Sequence, residues 1–287
     1  MKLYTVKADD REYVAVEKNG KLVTMDSLGI SVKDMNELIL RFEELKDDLK
    51  NKLQDYSGEY LDRDSCNILA PIPVPMQDIL CLGVNYKEHI DETSDIVNFT
   101  KKNAAVYFSK RVNRANDQNG IIPAYDIVTQ LDYEVELGVI LGKDAFNVRK
   151  EDADEYIFGY TIINDVSARN LQFKHNQWYF GKSLDGYTPM GPAIVTPDEI
   201  GDAHDIEVSC YVNGERRQSS NTGLMITTVE EAIEELSQGM TLKAGTIIAT
   251  GTPGGVAIGM ENPEFLCSGD VVRCEIENIG VLENTVG

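Results

Sequence analysis

Leu131-Asp132-Tyr133-Glu134-Val135-Glu136-Leu137-Gly138-Val139-Ile140-Leu141 reads as one strand, with apolar and β-branched residues dominant and acids at alternate positions. Side chains two apart on a strand share a face, so Glu134 and Glu136 project side by side while Val135 and Leu137 face the other way. Two carboxylates crowded into a mostly apolar strand repel each other and lose hydration. A hard divalent cation held by oxygen ligands relieves both costs. The competing reading is the solvated face of an edge strand, where Glu-x-Glu is ordinary. The apolar continuation Gly138–Leu141 weighs against it, and a further acid from elsewhere in the chain would weigh more.

Such an acid ends the next apolar run, Ile157-Phe158-Gly159-Tyr160-Thr161-Ile162-Ile163-Asn164-Asp165. At the end of a buried strand Asp165 is either a helix N-cap or a metal ligand. Upstream, Ile79–Val84 reads as a buried strand and Lys87–Thr93 as a short helix. His89 and Glu92, three apart, then share a helix face. A carboxylate beside an imidazole orients it and raises its basicity, the arrangement of a general base; a chance histidine on a surface helix is the alternative. The polar stretch Thr93–Thr100 suits a lid. Lys110, Arg111 and Arg114 stand in a long polar loop from Ser109 to about Thr129, either a solvated loop or a receiver for a carboxylated substrate. Gly181-Lys182-Ser183 lacks the spacing of a phosphate loop, which excludes a nucleotide site. Gly251-Thr252-Pro253-Gly254-Gly255 is a tight turn whose amides are able to face a ligand.

The chain has 287 residues, 42% hydrophobic and 26% charged, an ordinary globular composition. Its formal net charge of −21 argues against nucleic-acid or anionic-membrane partners. Five cysteines without a Cys-x-x-Cys pair fit reduced, buried thiols in a cytoplasmic protein. No apolar run approaches the length of a membrane span, and the N-terminus carries no signal-like core.

Residues 1–70 are expected to form a small N-terminal α/β module. It has strands near Leu3–Val6, Tyr13–Glu17 and Lys21–Thr24, a turn at Asn19-Gly20, and one helix from Met35 to about Gln54 capped by Asp34. Pro71-Ile72-Pro73-Val74-Pro75 is a stiff connector into a second unit, residues 71–287. There, Asn213-Gly214 marks a hairpin and Thr228-Val229-Glu230-Glu231 a capping box.

From about Asp78 onward the chain resembles the fumarylacetoacetate hydrolase superfamily, and residues 1–70 resemble the N-terminal module of its bacterial members. The resemblance rests on Gly83-Val84-Asn85-Tyr86 with His89 and Glu92, on Asp132-Tyr133-Glu134-Val135-Glu136-Leu137, on Asn164-Asp165-Val166-Ser167-Ala168-Arg169, on Gly181-Lys182-Ser183, and on Ala249-Thr250-Gly251-Thr252-Pro253. One departure is Lys110-Arg111, where the family commonly carries Lys-Pro. The resemblance implies an α+β, mostly β fold, a β-sandwich roll, usually as a homodimer. It implies Glu134, Glu136 and Asp165 as ligands of Mg²⁺ or Mn²⁺, and His89, Glu92 and Lys182 as catalytic residues. Arg169, Gln172 and Thr252 would line the pocket of a small 2-oxo carboxylate. The expected activity is hydrolysis of the C–C bond of a 2,4-dioxo acid of acylpyruvate or fumarylacetoacetate type, a divalent cation stabilising the enolate. An oxaloacetate-type decarboxylase and a 2-hydroxy-diene-dioate isomerase are the alternatives on the same metal site.

Overall fold

The computed structural model describes residues 1–93, 104–175 and 177–287. The chain opens with β1 (Lys2–Ala8), β2 (Arg11–Lys18) and β3 (Lys21–Thr24), the last two joined through Asn19 and Gly20 at φ 54° and 77°, the left-handed values of a tight hairpin. Two helices follow, α1 (Met35–Leu40) and α2 (Phe42–Asp55), where the periodicity suggests one. Asp34 caps the first by accepting from the Glu37 amide at 2.9 Å. Arg41, at φ −105° and ψ 8°, interrupts the path. Leu38 and Ile39 before the break and Leu45 and Leu49 after it are all buried, whereas Leu40 at the break is exposed. The break lets two apolar stripes of different orientation reach one core.

The remaining strands are β4 (Asn67–Ile68), β5 (Ile79–Gly83), β6 (Val106–Lys110), β7 (Ile121–Ile122), β8 (Leu131–Asp132), β9 (Val135–Leu141), β10 (Ile157–Asn164), β11 (Ser167–Ala168), β12 (Met190–Val195), β13 (Glu207–Val212), β14 (Glu215–Asn221), β15 (Ile247–Ala249), β16 (Val271–Ile276) and β17 (Gly280–Val286). Between them lie α3 (Lys87–Thr93), α4 (Arg169–Gln172), α5 (Tyr179–Lys182), α6 (Pro197–Ile200) and α7 (Val229–Ser237), the last with the full Thr228–Glu231 capping box. No helix among the described residues is long and apolar enough to cross a membrane.

The larger sheet runs β3-β2-β1-β12-β10-β9-β15-β5-β6, with β4 on β1. Its central strands β9 and β10 are buried along their whole length, so both faces must be covered. Val135, Leu137, Val139 and Leu141 pack into one cluster with Val208, Cys210, Val272 and Ile276 of the second sheet, β14-β13-β16-β17-β7. Ile140, on the opposite face, packs with Ile79, Cys81 and Ile163 and with Leu3, Val16, Leu38 and Ile39 from the N-terminal elements. The first strand joins the same sheet directly, Lys2 opposite Val195 and Leu3 opposite Ile194. The architecture is α+β, mostly β, two sheets face to face with helices outside.

The opening stretch is not one strand. Leu131–Asp132 pairs with Ser167–Ala168 in a small separate sheet, and Val135–Leu141 pairs with Ile157–Asn164 in the large one. The chain changes sheets at Tyr133 and Glu134. Alternation along the sequence carries no information about which partner each half finds, so the change is invisible there. Asn164 repairs the ladder at the gap: its Oδ1 accepts from the Glu134 amide at 3.0 Å, while the Asp165 amide donates to the Glu134 carbonyl at 2.8 Å. Replacing Asn164 by Ala leaves the buried Glu134 amide unpaired. It should cost about 1–3 kcal/mol, seen as a lower midpoint in thermal or urea denaturation.

Candidate active site

Glu134 stands at the change of sheets, Glu136 on β9, and Asp165 just beyond β10, which pairs with β9. Each offers a carboxylate oxygen within 4.8 Å of the others, and all three are buried. Among the described residues no other three His, Cys, Asp or Glu side chains converge so closely. Asp165, left open between cap and ligand by its sequence context, caps no helix; α4 begins after Ala168.

Three buried cations answer these acids. Lys182 Nζ, at the end of α5, donates to Glu134 Oε2 at 2.6 Å and Asp165 Oδ2 at 2.7 Å. Lys110 Nζ donates to Asp165 Oδ1 at 2.5 Å and to the Val166 carbonyl at 3.1 Å. Arg169 Nη2 lies 2.6 Å from Glu134 Oε1, and its Nε donates to Asp132 Oδ2 at 2.9 Å. Among the described residues Glu136 has no such ion pair; its Oε2 accepts from the Gly251 amide at 2.9 Å. The ionisation follows this division. Burial alone would raise the Glu134 carboxyl, but Lys182 and Arg169 outweigh it and hold the group well below the usual carboxylate range. Burial pushes Glu136 well up, and the carboxylates of Asp165 and Glu134 push it further. Burial also lowers Lys110, whereas at Lys182 the pull of Asp165 and Glu134 overcomes the same burial and raises it.

An all-carboxylate donor set fits a hard, oxygen-seeking dication such as Mg²⁺ or Mn²⁺. The crowding that drives Glu136 towards its neutral form is what a positive charge between the three acids would relieve. The residues present therefore fit the metal that their pattern implies.

Glu134 and Glu136 open on a cleft. Glu134, Glu136, Arg169, Gln172, Lys182, Thr252 and His89 are among its polar lining, and Leu82, Val84, Phe108, Phe173, Trp178 and Ile258 among its apolar lining. His89 Nδ1 is 2.9 Å from Glu92 Oε1, and Glu92 Oε2 accepts from the Gly255 amide at 2.7 Å. The glycine-rich turn thus turns two amides towards protein carboxylates, those of Gly251 and Gly255. Gly259 is close enough that a Cβ there would lie 2.6 Å from Glu92 Cδ. Thr252 does not point freely into the cleft: its hydroxyl donates to the Val135 carbonyl at 2.9 Å and accepts from Gln218 Nε2 at 2.7 Å. Gln172 accepts from Arg169 Nη1 at 3.0 Å.

The residues singled out from the sequence thus converge: His89, Glu134, Glu136, Arg169, Gln172, Lys182 and Thr252 line one cleft, Asp165 completes the acidic group, and Glu92 holds His89. The expected lid beyond Thr93, to Thr100, lies outside the described residues. Lys110 differs from expectation. It is no loop cation but the buried last residue of β6, paired to Asp165, while Arg111 and Arg114 are exposed. Its signal was a lysine directly continuing Val106-Tyr107-Phe108-Ser109. Also missed was Asp132, fully buried, which accepts from Arg169, from its neighbour Tyr133 and from the Ala257 and Ile258 amides. It falls at the same alternate spacing as Glu134 and Glu136. Gln218, which ties the Val135 amide to Thr252 and Pro253, left no signal at all.

The family model described as fumarylacetoacetate (FAA) hydrolase C-terminal matches residues 78–287. The chain is 45% identical over 219 residues to the oxaloacetate tautomerase YisK of Bacillus subtilis (strain 168), covering 76% of this chain and 72% of that protein. Among solved structures it is similar to the fumarylacetoacetate hydrolase of psychrophilic Exiguobacterium antarcticum, at 38% identity and a TM-score of 0.81, over 100% of this chain and 99% of the other. It is also similar to the maleylpyruvate hydrolase of Sphingobium sp. SYK-6 in complex with manganese(II) and pyruvate, at 26% identity and a TM-score of 0.79, over 100% and 98% of the two chains. On the extent of these matches the chain belongs to the fumarylacetoacetate hydrolase family.

Proposed function

We propose that the protein is a divalent-metal-dependent enzyme that moves a proton at C3 of a small 2-oxo carboxylate, its best-supported reaction being keto–enol tautomerisation of an oxaloacetate-type diacid. The observation that carries this reading is the His89–Glu92 pair in the same cleft as three converging acids. The 45% identity to an oxaloacetate tautomerase supports the choice of reaction.

Glu134, Glu136 and Asp165 would hold the dication, which would supply Lewis acidity when bound. The side chains do the rest. Glu92 engages His89 Nδ1 and so leaves Nε2 as the proton acceptor for C3. The imidazolium formed is stabilised by Glu92, itself held by the Gly255 amide, and passes its proton to the C2 oxygen, which completes the enol. Arg169 and Lys182 keep positive charge beside the acids, which favours an anionic substrate in a chain of net charge −21. Phe108 and Trp178 in the lining limit water in the cleft.

Hydrolysis of the C–C bond of a 2,4-dioxo acid is a second reading, favoured by the same pair, since His89 is equally able to take a proton from water. The solved hydrolases of the family lend it weight. Simple decarboxylation would ask of the His89–Glu92 pair only that it return a proton to C3 of the enolate left by CO₂, not that it remove one.

Metal-stripped protein should gain thermal stability on adding Mg²⁺ or Mn²⁺, and Glu134→Gln or Asp165→Asn should lose both that shift and turnover; retained activity in either variant sinks the site. His89→Ala should lower tautomerisation of oxaloacetate, followed by the absorbance of its enol, about 10²–10⁴-fold. An unchanged rate together with release of CO₂ would point to decarboxylation instead. Gly259→Ala should displace Glu92 at little cost to the fold, because the clash is with the end of a flexible side chain. The expected result is kcat down by about tenfold to a hundredfold, with KM and the metal-induced shift retained.

A further inference from the structure

The end of β5 is shaped around an indole. A Cβ on Gly83 would lie 2.4 Å from Trp178 Cζ3 and 2.9 Å from Cη2, closer than side-chain carbons approach. Gly83 does not adopt a positive φ, so the backbone does not demand glycine there. What demands it is room for the six-membered ring. On its other side Trp178 meets Phe108 edge-on, ring centroids 5.2 Å apart at 69°, a favoured aromatic geometry. Phe108 in turn lies under the Lys182 ammonium, which is 5.3 Å from its ring centre. Lys182 touches both Glu134 and Asp165. A continuous path of contacts therefore runs from the acids through Lys182 and Phe108 to Trp178 and Gly83, and all of these except Asp165 line the cleft.

Trp178 is the chain's one tryptophan. Its neighbours Phe173, Tyr179 and Phe180 are exposed, and Trp178 itself is half-buried against the cleft. We infer that Trp178, seated on Gly83 and braced by Phe108, sets the size of the group that a 2-oxo acid carries beyond C3, restricting the enzyme to short diacids and short acylpyruvates. The inference rests on the proposed 2-oxo carboxylate chemistry and adds its specificity. With the carboxylate and keto end drawn to the cations beside the acids, the acyl chain of an acylpyruvate extends towards Phe108 and Trp178, where the indole occupies the space a longer chain would need. Each methylene such a chain could bury adds to its binding, so removing the ring should be felt increasingly along a homologous series.

The test is a series of 2-oxo acids, from oxaloacetate and acetylpyruvate to hexanoylpyruvate and benzoylpyruvate, assayed with Mg²⁺ on the wild type, Trp178→Phe, Trp178→Ala and Gly83→Ala. The ratio of kcat/KM for hexanoylpyruvate over acetylpyruvate should rise at least about tenfold in Trp178→Ala and by less in Trp178→Phe. Gly83→Ala should alter the ratio in the wild type but leave it unchanged in the Trp178→Ala background, where its clash partner is gone. The fluorescence of Trp178 in the wild type should also change on titration with oxalate in the presence of Mg²⁺, a readout independent of turnover. Short acids turned over with the same chain-length ratio in wild type and Trp178→Ala would overturn the specificity role and leave the proposed chemistry standing. Failure of every 2-oxo acid to bind or react in the wild type would overturn both.

Discussion

Everything in the cleft follows from the cost of keeping carboxylates out of water. Glu134, Glu136, Asp165 and Asp132 are all buried within one short stretch of space. Lys110, Lys182 and Arg169 are buried with them because an unpaired charge in that setting is not tolerated. Among the described residues, three cations against four acids leave one acid short of a charged partner, and the geometry says which: Glu136, held by the Gly251 amide. The pairing secures two of the converging acids and leaves the third to call for an added positive charge. A protein that merely stabilised itself would more cheaply fill such a space with apolar side chains.

The scaffold makes this crowding possible by breaking its own regularity. Had residues 131–141 remained one strand, Asp132, Glu134 and Glu136 would line a single sheet face at even spacing. The change of sheets at Tyr133 and Glu134 separates their duties. Asp132 anchors Arg169 and the amides of Ala257 and Ile258, Glu134 takes two cations, and Glu136 stays on the central strand. Side-chain amides fill the gaps this leaves in the backbone ladder: Asn164 at Glu134, Gln218 at Val135. The same logic fixes His89. Glu92 is pinned on one oxygen by His89 and on the other by the Gly255 amide, so α3 is docked on the glycine-rich turn through the carboxylate that holds the imidazole.

What could be read from the residues alone was whatever depended on short spacing. The i, i+3 relation of His89 and Glu92, the alternation of Glu134 and Glu136, the acid closing the run to Asp165, the turns at Asn19-Gly20 and Asn213-Gly214 and the Thr228 box are local patterns with local causes. What could not be read depended on distant partners. Lys110 is bound to an acid 55 positions away, and beside Arg111 it looked like one more solvated cation. Asp132 stood in view at the right spacing, but its partners beyond the adjacent Tyr133 lie 37 to 126 positions downstream. The interruption at Arg41 and the division of the central stretch are both set by what each half packs against, which no period reveals.

The glycine-rich turn has a consequence for how the molecule comes into being. The acids and the base belong to the first two-thirds of the chain, yet the amides that orient Glu136 and Glu92 come from Gly251 and Gly255. As the polypeptide leaves the ribosome from its N-terminus, the cluster is incomplete until nearly the whole length has been synthesised. Closing contacts across such long separations is a slow, late event in folding. Competence to hold a cation should therefore arrive together with the native state rather than in a preformed fragment of it.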